Sequence, residues 1–179
     1  MPEFLFDAKP TLAALRSPDL LATRAVEHQT LLIVGGSYVA LNDLRESTRD
    51  IDSVTRLQDV TKQAISEIGQ QHGYPNDWLN DSAAAFRPSG LRIEDCTCTV
   101  LFDHHALTIL GPSADWIFLM KLYAGRTIDH QDLTRLRTHI KFTSSNDVIE
   151  RFHDAYQFAA EDPYLFEYID AIRHREEAP

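Results

Sequence analysis

The chain has 179 residues, of which 44% are hydrophobic and 25% are charged, values typical of one ordinary globular domain. Its formal net charge of −10 and its 17 scattered basic residues argue against stable binding of long duplex nucleic acids. No basic segment precedes an apolar run, and no apolar stretch approaches about 18 residues. We therefore expect a cytoplasmic protein without a membrane span.

In the first half of the chain, helical periodicity alternates with short apolar runs. One such run ends at Gly35-Gly36, which is typical of a buried strand that leads into a tight turn. Residues 49–54 alternate polar and apolar side chains, which indicates a strand with two different faces. The predicted helices cover residues 11–27, with an interruption near Pro18, then 37–44 and 58–72, and the predicted strands cover 31–34 and 49–54.

The second half begins with further strands and ends in helices. We expect Cys96 and Cys98 to be free, small strand residues and Asp103-His104-His105 to form a polar hairpin turn. The predicted elements are a helical turn or two in 77–86, strands over 96–102 and 107–110, and helices over 114–124, 129–140, 146–160 and 164–174.

This order of elements predicts a mixed α/β fold in a single domain over residues 1–179. We expect a small mixed sheet flanked by helices, with a core over about residues 28–140 and a helical C-terminal segment over about 141–175.

Two carboxylates, Asp50 and Asp52, occupy alternate positions of the predicted strand that follows the Gly35-Gly36 turn. Side chains at i and i+2 of a strand project from the same face, so both can reach one or two metal ions. Mg²⁺ prefers oxygen ligands and keeps positions for water and for substrate phosphates. The glycines let a ligand approach the backbone, and the helix that opens at Ser37 offers free N–H groups to a phosphate. The arrangement indicates an enzyme that acts on a nucleoside triphosphate.

The segment LLIVGGSYVALNDLRESTRDIDSV resembles the signature of the DNA-polymerase-β-like nucleotidyltransferases, in which an apolar strand, Gly-Gly or Gly-Ser, a short helix and Asp-x-Asp follow one another. Arg45, Thr48 and Asp50 match the Arg-x-x-Thr-x-Asp run common before the first carboxylate. FLMKLYAGRTIDHQDLTRL is similar to a stretch of the AbiE-type toxin nucleotidyltransferases and related uncharacterised bacterial proteins, and DWLND resembles a shorter motif of some of them. The resemblance covers residues 31–136 and implies a nucleotidyltransferase fold.

The resemblance also implies roles for individual residues. The two strand carboxylates would hold Mg²⁺ or Mn²⁺, the glycine turn would cradle the triphosphate, and Lys121 would neutralise phosphate charge. Arg126 would pair with phosphate or with the acids, and Asp132, or its neighbour Asp129, would complete the acidic cluster or act as base. The implied catalytic residues are Asp50, Asp52, Lys121 and Asp132, the implied metal ligands are Asp50 and Asp52, and the implied nucleotide-binding residues are Gly35, Gly36, Ser37, Lys121 and Arg126.

The implied activity is transfer of a nucleoside monophosphate from an NTP to an RNA 3′ end or to a protein hydroxyl. In a toxin–antitoxin system, the partner would be a cognate antitoxin or toxin protein. The acidic composition favours a protein or a short RNA end as the acceptor.

Two alternatives stay open at this point. Lys121 follows an apolar run and can instead extend its ammonium to the solvent or form a plain ion pair with Asp132. Many members of the superfamily have a third carboxylate, and its candidates Glu94, Asp95 and Asp103 do not lie cleanly within a predicted strand. Either Asp132 takes that place, or the metal site is incomplete and the chain is a catalytically inactive interaction or antitoxin-like module.

Overall fold

The computed structural model of the chain describes residues 28–94, 97–104 and 107–174, without the side chain of His104. The helices predicted over residues 11–27, as well as Cys96, Asp95 and His105, lie outside these ranges. Within them there are five β-strands, one 3₁₀-helix and six α-helices. The strands are β1 (Gln29–Val34), β2 (Ile51–Ser53), β3 (Leu79–Asn80), β4 (Thr99–His104) and β5 (Leu107–Gly111). The helices are α1 (Gly35–Leu41), α2 (Asp59–His72), α3 (Ala114–Ala124), α4 (Asp129–Leu136), α5 (Ser145–Ala155) and α6 (Leu165–Arg173), and the 3₁₀-helix is Ser82–Phe86.

The five strands form one mixed sheet in the order β3-β2-β1-β5-β4. The pairs β1–β5 and β2–β3 are parallel, whereas β1–β2 and β4–β5 are antiparallel. The predicted mixed α/β fold is thereby confirmed. Within the part of the chain that the structure describes, no helix has the length and apolar character that crossing a bilayer requires.

The described residues form two compact units. The first contains the sheet with α1 and α2, and the second contains residues 87–94 with α3 to α6.

The core of the first unit lies between the sheet and α2. Its apolar residues come from alternate positions of the strands and from one face of the helix, as the period-2 and helical patterns predict. Trp78 is fully buried and its indole N–H donates to the carbonyl of Ile65, 2.9 Å away, which anchors the start of β3 to α2. The helix ends where Gly73 adopts a left-handed φ of +70°.

The second unit is a helical assembly with its own apolar core. The buried residues of its four helices include Ile117, Phe118, Leu133, Leu136, Val148, Phe152, Ile169 and Ile172. Helix α5 has a side-chain cap, because the hydroxyl of Ser144 accepts from the N–H of Asp147 and the Asp147 carboxylate accepts from the N–H of Thr143.

The structure corrects several predicted elements. The segment predicted as helical turns forms the two-residue strand β3 before its 3₁₀-helix, because Trp78 pairs with Ile51 through an N–H to carbonyl bond of 2.7 Å. Asp103 lies in β4 rather than in a turn, and its carboxylate accepts a hydrogen bond of 2.7 Å from the hydroxyl of Thr108 opposite it on β5. Helices α4 and α5 end four and five residues earlier than predicted, at Leu136 and Ala155. The prediction of a free thiol was wrong for Cys98, which is disulfide-bonded.

Candidate functional site

The turn after β1 brings the backbone into contact with Asp52. Gly35 has a φ of +70°, in the left-handed region that favours glycine, and a Cβ placed on it would lie 3.0 Å from Oδ2 of Asp52. Val34 and Asp52 are opposite each other in the antiparallel pairing of β1 with β2. The sequence therefore has a glycine at position 35 for two reasons, the backbone conformation and the room for the carboxylate.

The alternation predicted for residues 49–54 is present over residues 50–53, and the strand itself covers only Ile51–Ser53. Ile51 and Ser53 are fully buried, whereas Asp50 and Asp52 are partly exposed. The buried hydroxyl of Thr48 donates to the carbonyl oxygen of Asp50 over 2.9 Å and so fixes the backbone just before β2. The side chains of Asp50 and Asp52 are thus partly accessible, whereas their neighbours Ile51 and Ser53 are packed in the core.

The hydrogen-bond donor and the cross-strand partner of the Asp52 side chain are both neutral. Its Oδ1 accepts a hydrogen bond of 3.2 Å from the hydroxyl of Ser82, and Asn80 lies opposite it in the parallel pairing of β2 with β3. No lysine, arginine or histidine of the described ranges forms an ion pair with Asp52. Sequence reasoning missed Ser82, since a contact across 30 positions has no spacing signal, although the DWLND motif lies immediately before it.

This donor set suits a magnesium ion with few protein ligands. Carboxylate oxygens are hard ligands, and Mg²⁺ is commonly held by one or two carboxylates together with substrate phosphates and water. Among the described residues, no group of three or more His, Cys, Asp or Glu side chains is arranged to hold a metal. Asp50 and Asp52 would therefore be the protein's contribution.

The structure also bears on the third carboxylate. Asp103 lies on β4, three strand spacings from β2 in the sheet, which corresponds to about 14 Å. Its carboxylate is bonded to Thr108. Asn80, the residue of β3 opposite Asp52, is an amide whose Oδ1 accepts from the N–H of Ser82. Asp103 is thus separated from the pair, and the strand next to β2 presents a neutral side chain there.

Ser37 and Gly36, two other residues predicted to bind the triphosphate, have different surroundings. Ser37 is only 1% exposed, and its hydroxyl donates to the carbonyl of Val34 over 2.7 Å, so contact with a phosphate would require the side chain to rotate. A Cβ placed on Gly36 would lie 3.0 Å from Nη1 of Arg45 and 3.3 Å from Oγ1 of Thr48. The open side of Gly36 therefore faces the Arg45 guanidinium, which the spacing of the motif alone does not show.

Lys121, Asp129 and Asp132 form a buried charge cluster in the second unit. The Lys121 Nζ lies 2.7 Å from Oδ1 of Asp129 and 2.8 Å from Oδ2 of Asp132, and each of the three side chains is at most 4% exposed. Arg126 donates to Asp129 through its Nε over 2.8 Å, and Nη1 of Arg135 lies 3.7 Å from Oδ1 of Asp132. The cluster holds α4 against the end of α3.

The electrostatics of the cluster agree with this geometry. Burial raises the pKa of Asp129, but hydrogen bonds and charges from Lys121 and Arg126 outweigh burial, so the pKa lies below its usual value. Asp129 and Asp132 are therefore neutralised by cations, in contrast to Asp52. The geometry favours a structural ion pair for Lys121, while the catalytic roles predicted for Lys121 and Asp132 and the phosphate contact of Arg126 stay predictions.

Comparison with known proteins identifies the family. Residues 13–172 match the model of a family described as nucleotidyltransferase of unknown function (DUF6036). The chain belongs to this family. The match covers the Gly35-Gly36 turn, Asp50, Asp52 and the charge cluster of the second unit, so the predicted membership of a nucleotidyltransferase family is confirmed. No curated protein and no solved structure matches the chain, and the predicted closeness of the chain to the AbiE-type toxins stays a prediction.

Proposed function

We propose that the protein is a Mg²⁺- or Mn²⁺-dependent enzyme that transfers a nucleoside monophosphate from an NTP to an acceptor hydroxyl. The observation that carries the proposal is the contact between the Gly35 turn and the Asp52 carboxylate. A glycine turn beside a partly exposed acid, without a described ion-pair partner for that acid, suits a phosphate ligand and a divalent cation together.

Each residue of this site has a definable part in the proposed reaction. Asp50 and Asp52 would hold the cation, which when bound neutralises phosphate charge and activates the attacking oxygen. Ser82 orients the Asp52 carboxylate through its hydroxyl, and Thr48 fixes the backbone of Asp50. Gly35 and Gly36 let the triphosphate approach the main chain. Reaction at the α-phosphorus forms the bond to the acceptor oxygen, whose hydroxyl proton is released to the solvent. The anhydride bond to the β-phosphate breaks, and pyrophosphate leaves.

For the acceptor we propose an RNA 3′ end or a protein hydroxyl, with the reaction serving a toxin–antitoxin system. The net charge of −10 supports an acceptor that contacts the protein locally. A second candidate function is a catalytically inactive interaction or antitoxin-like module. It is supported by the neutral Asn80 opposite Asp52 and by the engagement of Lys121 with two carboxylates.

Incubation of the purified protein with labelled NTPs separates the two functions. The reactions contain MgCl₂ or MnCl₂, each of the four NTPs labelled at the α- or the γ-phosphate, and total RNA or the protein alone as acceptor. We expect label to transfer from the α-position but not from the γ-position, and EDTA or Asp52→Asn to abolish the transfer. Absence of transfer to RNA and to protein, with NTP binding retained, would support the inactive module.

A further inference from the structure

Two consecutive glycines each have a charged group at the place where a side chain would begin. At Gly35 this group is the carboxylate of Asp52, and at Gly36 it is the guanidinium of Arg45, each with an atom 3.0 Å from the position of a Cβ. Since adjacent Cα atoms are about 3.8 Å apart, the acid and the guanidinium flank one short turn. We propose that Arg45 binds the β- or γ-phosphate of the nucleotide, an inference that rests on the proposed function.

The chemistry of the substrate matches this pair of charges. A magnesium-bound triphosphate presents a divalent cation and several anionic oxygens at short separation. A carboxylate suits the cation, and a guanidinium, with its planar fork of donors, suits phosphate oxygens. Arg45 is partly exposed, so a ligand at the turn can reach it.

The identity of residue 36 supports the same assignment. Gly36 is the second residue of α1 and, unlike Gly35, does not have a positive φ, so its backbone conformation would accept alanine. Alanine also has the higher helix propensity. A side chain at this position would instead collide with the Arg45 guanidinium and the Thr48 hydroxyl, which occupy that space. Glycine at position 36 therefore makes room for the guanidinium against the main chain.

The segment from Arg45 to Asp50 links this guanidinium to the metal-binding acids. Thr48 is 2% exposed, contacts the open side of Gly36 and donates to the carbonyl of Asp50. One buried hydroxyl thus lies beside the Gly36 turn and holds the main chain at Asp50. This arrangement gives a physical reason for the spacing Arg45-x-x-Thr48-x-Asp50.

The test compares Arg45→Ala, Arg45→Gln and Arg45→Lys with Arg56→Ala, a control that removes a guanidinium whose side chain is 73% exposed. The affinity for each NTP with MgCl₂ and for the matching monophosphate is measured well below each melting temperature. We expect Arg45→Ala and Arg45→Gln to weaken NTP binding about 10- to 100-fold, because a charge-assisted bond is lost, and to leave the affinity for the monophosphate unchanged. Arg45→Lys should restore part of the loss, and Arg56→Ala should resemble the wild type.

An equal loss for NTP and monophosphate, or none for either, would overturn the assignment of Arg45. If the wild type binds no NTP, both the proposed function and the role of Arg45 are wrong. If the wild type binds NTP and the Arg45 variants bind it equally well, only the role of Arg45 is wrong. A double-mutant cycle gives a second readout. Gly36→Ala should weaken NTP binding in the wild type and much less in the Arg45→Ala background, and additive effects would show that Gly36 has no connection with the guanidinium.

Discussion

Gly35 and Asp52 are so close that a single methyl group on the glycine would contact the carboxylate, with its Cβ 3.0 Å from Oδ2. We expect Gly35→Ala to have two separable effects. The left-handed φ of +70° should lower the free energy of unfolding by about 1–2 kcal/mol. The contact should displace the carboxylate and reduce Mg²⁺-dependent NMP transfer.

Gly73→Ala is the matched control for this change. Gly73 has the same φ of +70°, and a Cβ placed on it would have no neighbour within 4 Å. Gly73→Ala should therefore lower the melting temperature through the strained backbone and keep its transfer activity. If both variants lose activity in proportion to their stability, the contact with Asp52 has no functional meaning.

Asp50→Asn and Asp52→Asn should separate activity from folding. Both residues are partly exposed, and neighbouring acids repel each other when no cation is bound, so the free energy of unfolding should change little. NMP transfer should fall by orders of magnitude. Asp77→Asn, which neutralises an exposed acid of the same unit, is the control for net charge. Wild-type transfer rates in both Asp50 and Asp52 variants would show that the metal assignment is wrong.

The parts of the site that were predictable are those fixed by local pattern. The apolar run before Gly35 and the alternation around Asp52 indicate a strand, a turn and a second strand without any knowledge of the fold. The i, i+3 spacing of Asp129 and Asp132 likewise places both on one helix face toward a common partner.

The remaining features depend on contacts between distant positions. Ser82 reaches Asp52 across 30 positions, and β3 has only two residues, too few to show a period of two. The burial of Lys121 was also not predictable, since a lysine after an apolar run is compatible with an exposed ammonium until the packing of α4 is known. The proximity of the Arg45 guanidinium to Gly36 was not predictable either, because the motif gives the order of the residues along the chain but not which of them lie close together.

Lys121 allows a direct test of structural against functional roles. Because its ammonium is buried between two carboxylates, Lys121→Ala should lower the free energy of unfolding by about 3–5 kcal/mol. Asp132→Asn should recover much of that loss in the double variant, since it removes one of the stranded charges. Chemical unfolding of the wild type, both single variants and the double variant gives the coupling energy.

The same four proteins are then compared in NTP affinity at a temperature where all are folded. A structural ion pair predicts strong coupling in stability and unchanged affinity. A selective loss of NTP affinity in Lys121→Ala, with little change in stability, would instead establish the phosphate contact predicted from the resemblance.

The lowered pKa of Asp129 predicts how acid affects the stability of the protein. Burial raises this pKa, but Lys121 and Arg126 lower it by more, so the folded state releases the proton more readily than the unfolded chain, whose aspartates have a pKa of about 3.9. Above that pH both states are ionised, and the stabilisation by the cluster is fully present. As the pH falls below about 4, the unfolded state binds the proton first, so the free energy of unfolding decreases until the folded-state pKa is passed.

We therefore expect the melting temperature of the wild type to fall more steeply between pH 4 and pH 2 than that of Asp129→Asn, which has no carboxyl group to titrate at this position. At pH 6 the melting temperature of Asp129→Asn should lie below that of the wild type, because the substitution weakens the bonds to Lys121 and Arg126. The two melting curves should thus converge as the solution is acidified. Asp77→Asn, at an exposed position outside the cluster, should follow the wild-type curve. A constant difference between wild type and Asp129→Asn over the whole range would mean that the Asp129 carboxylate does not stabilise the folded state as an anion.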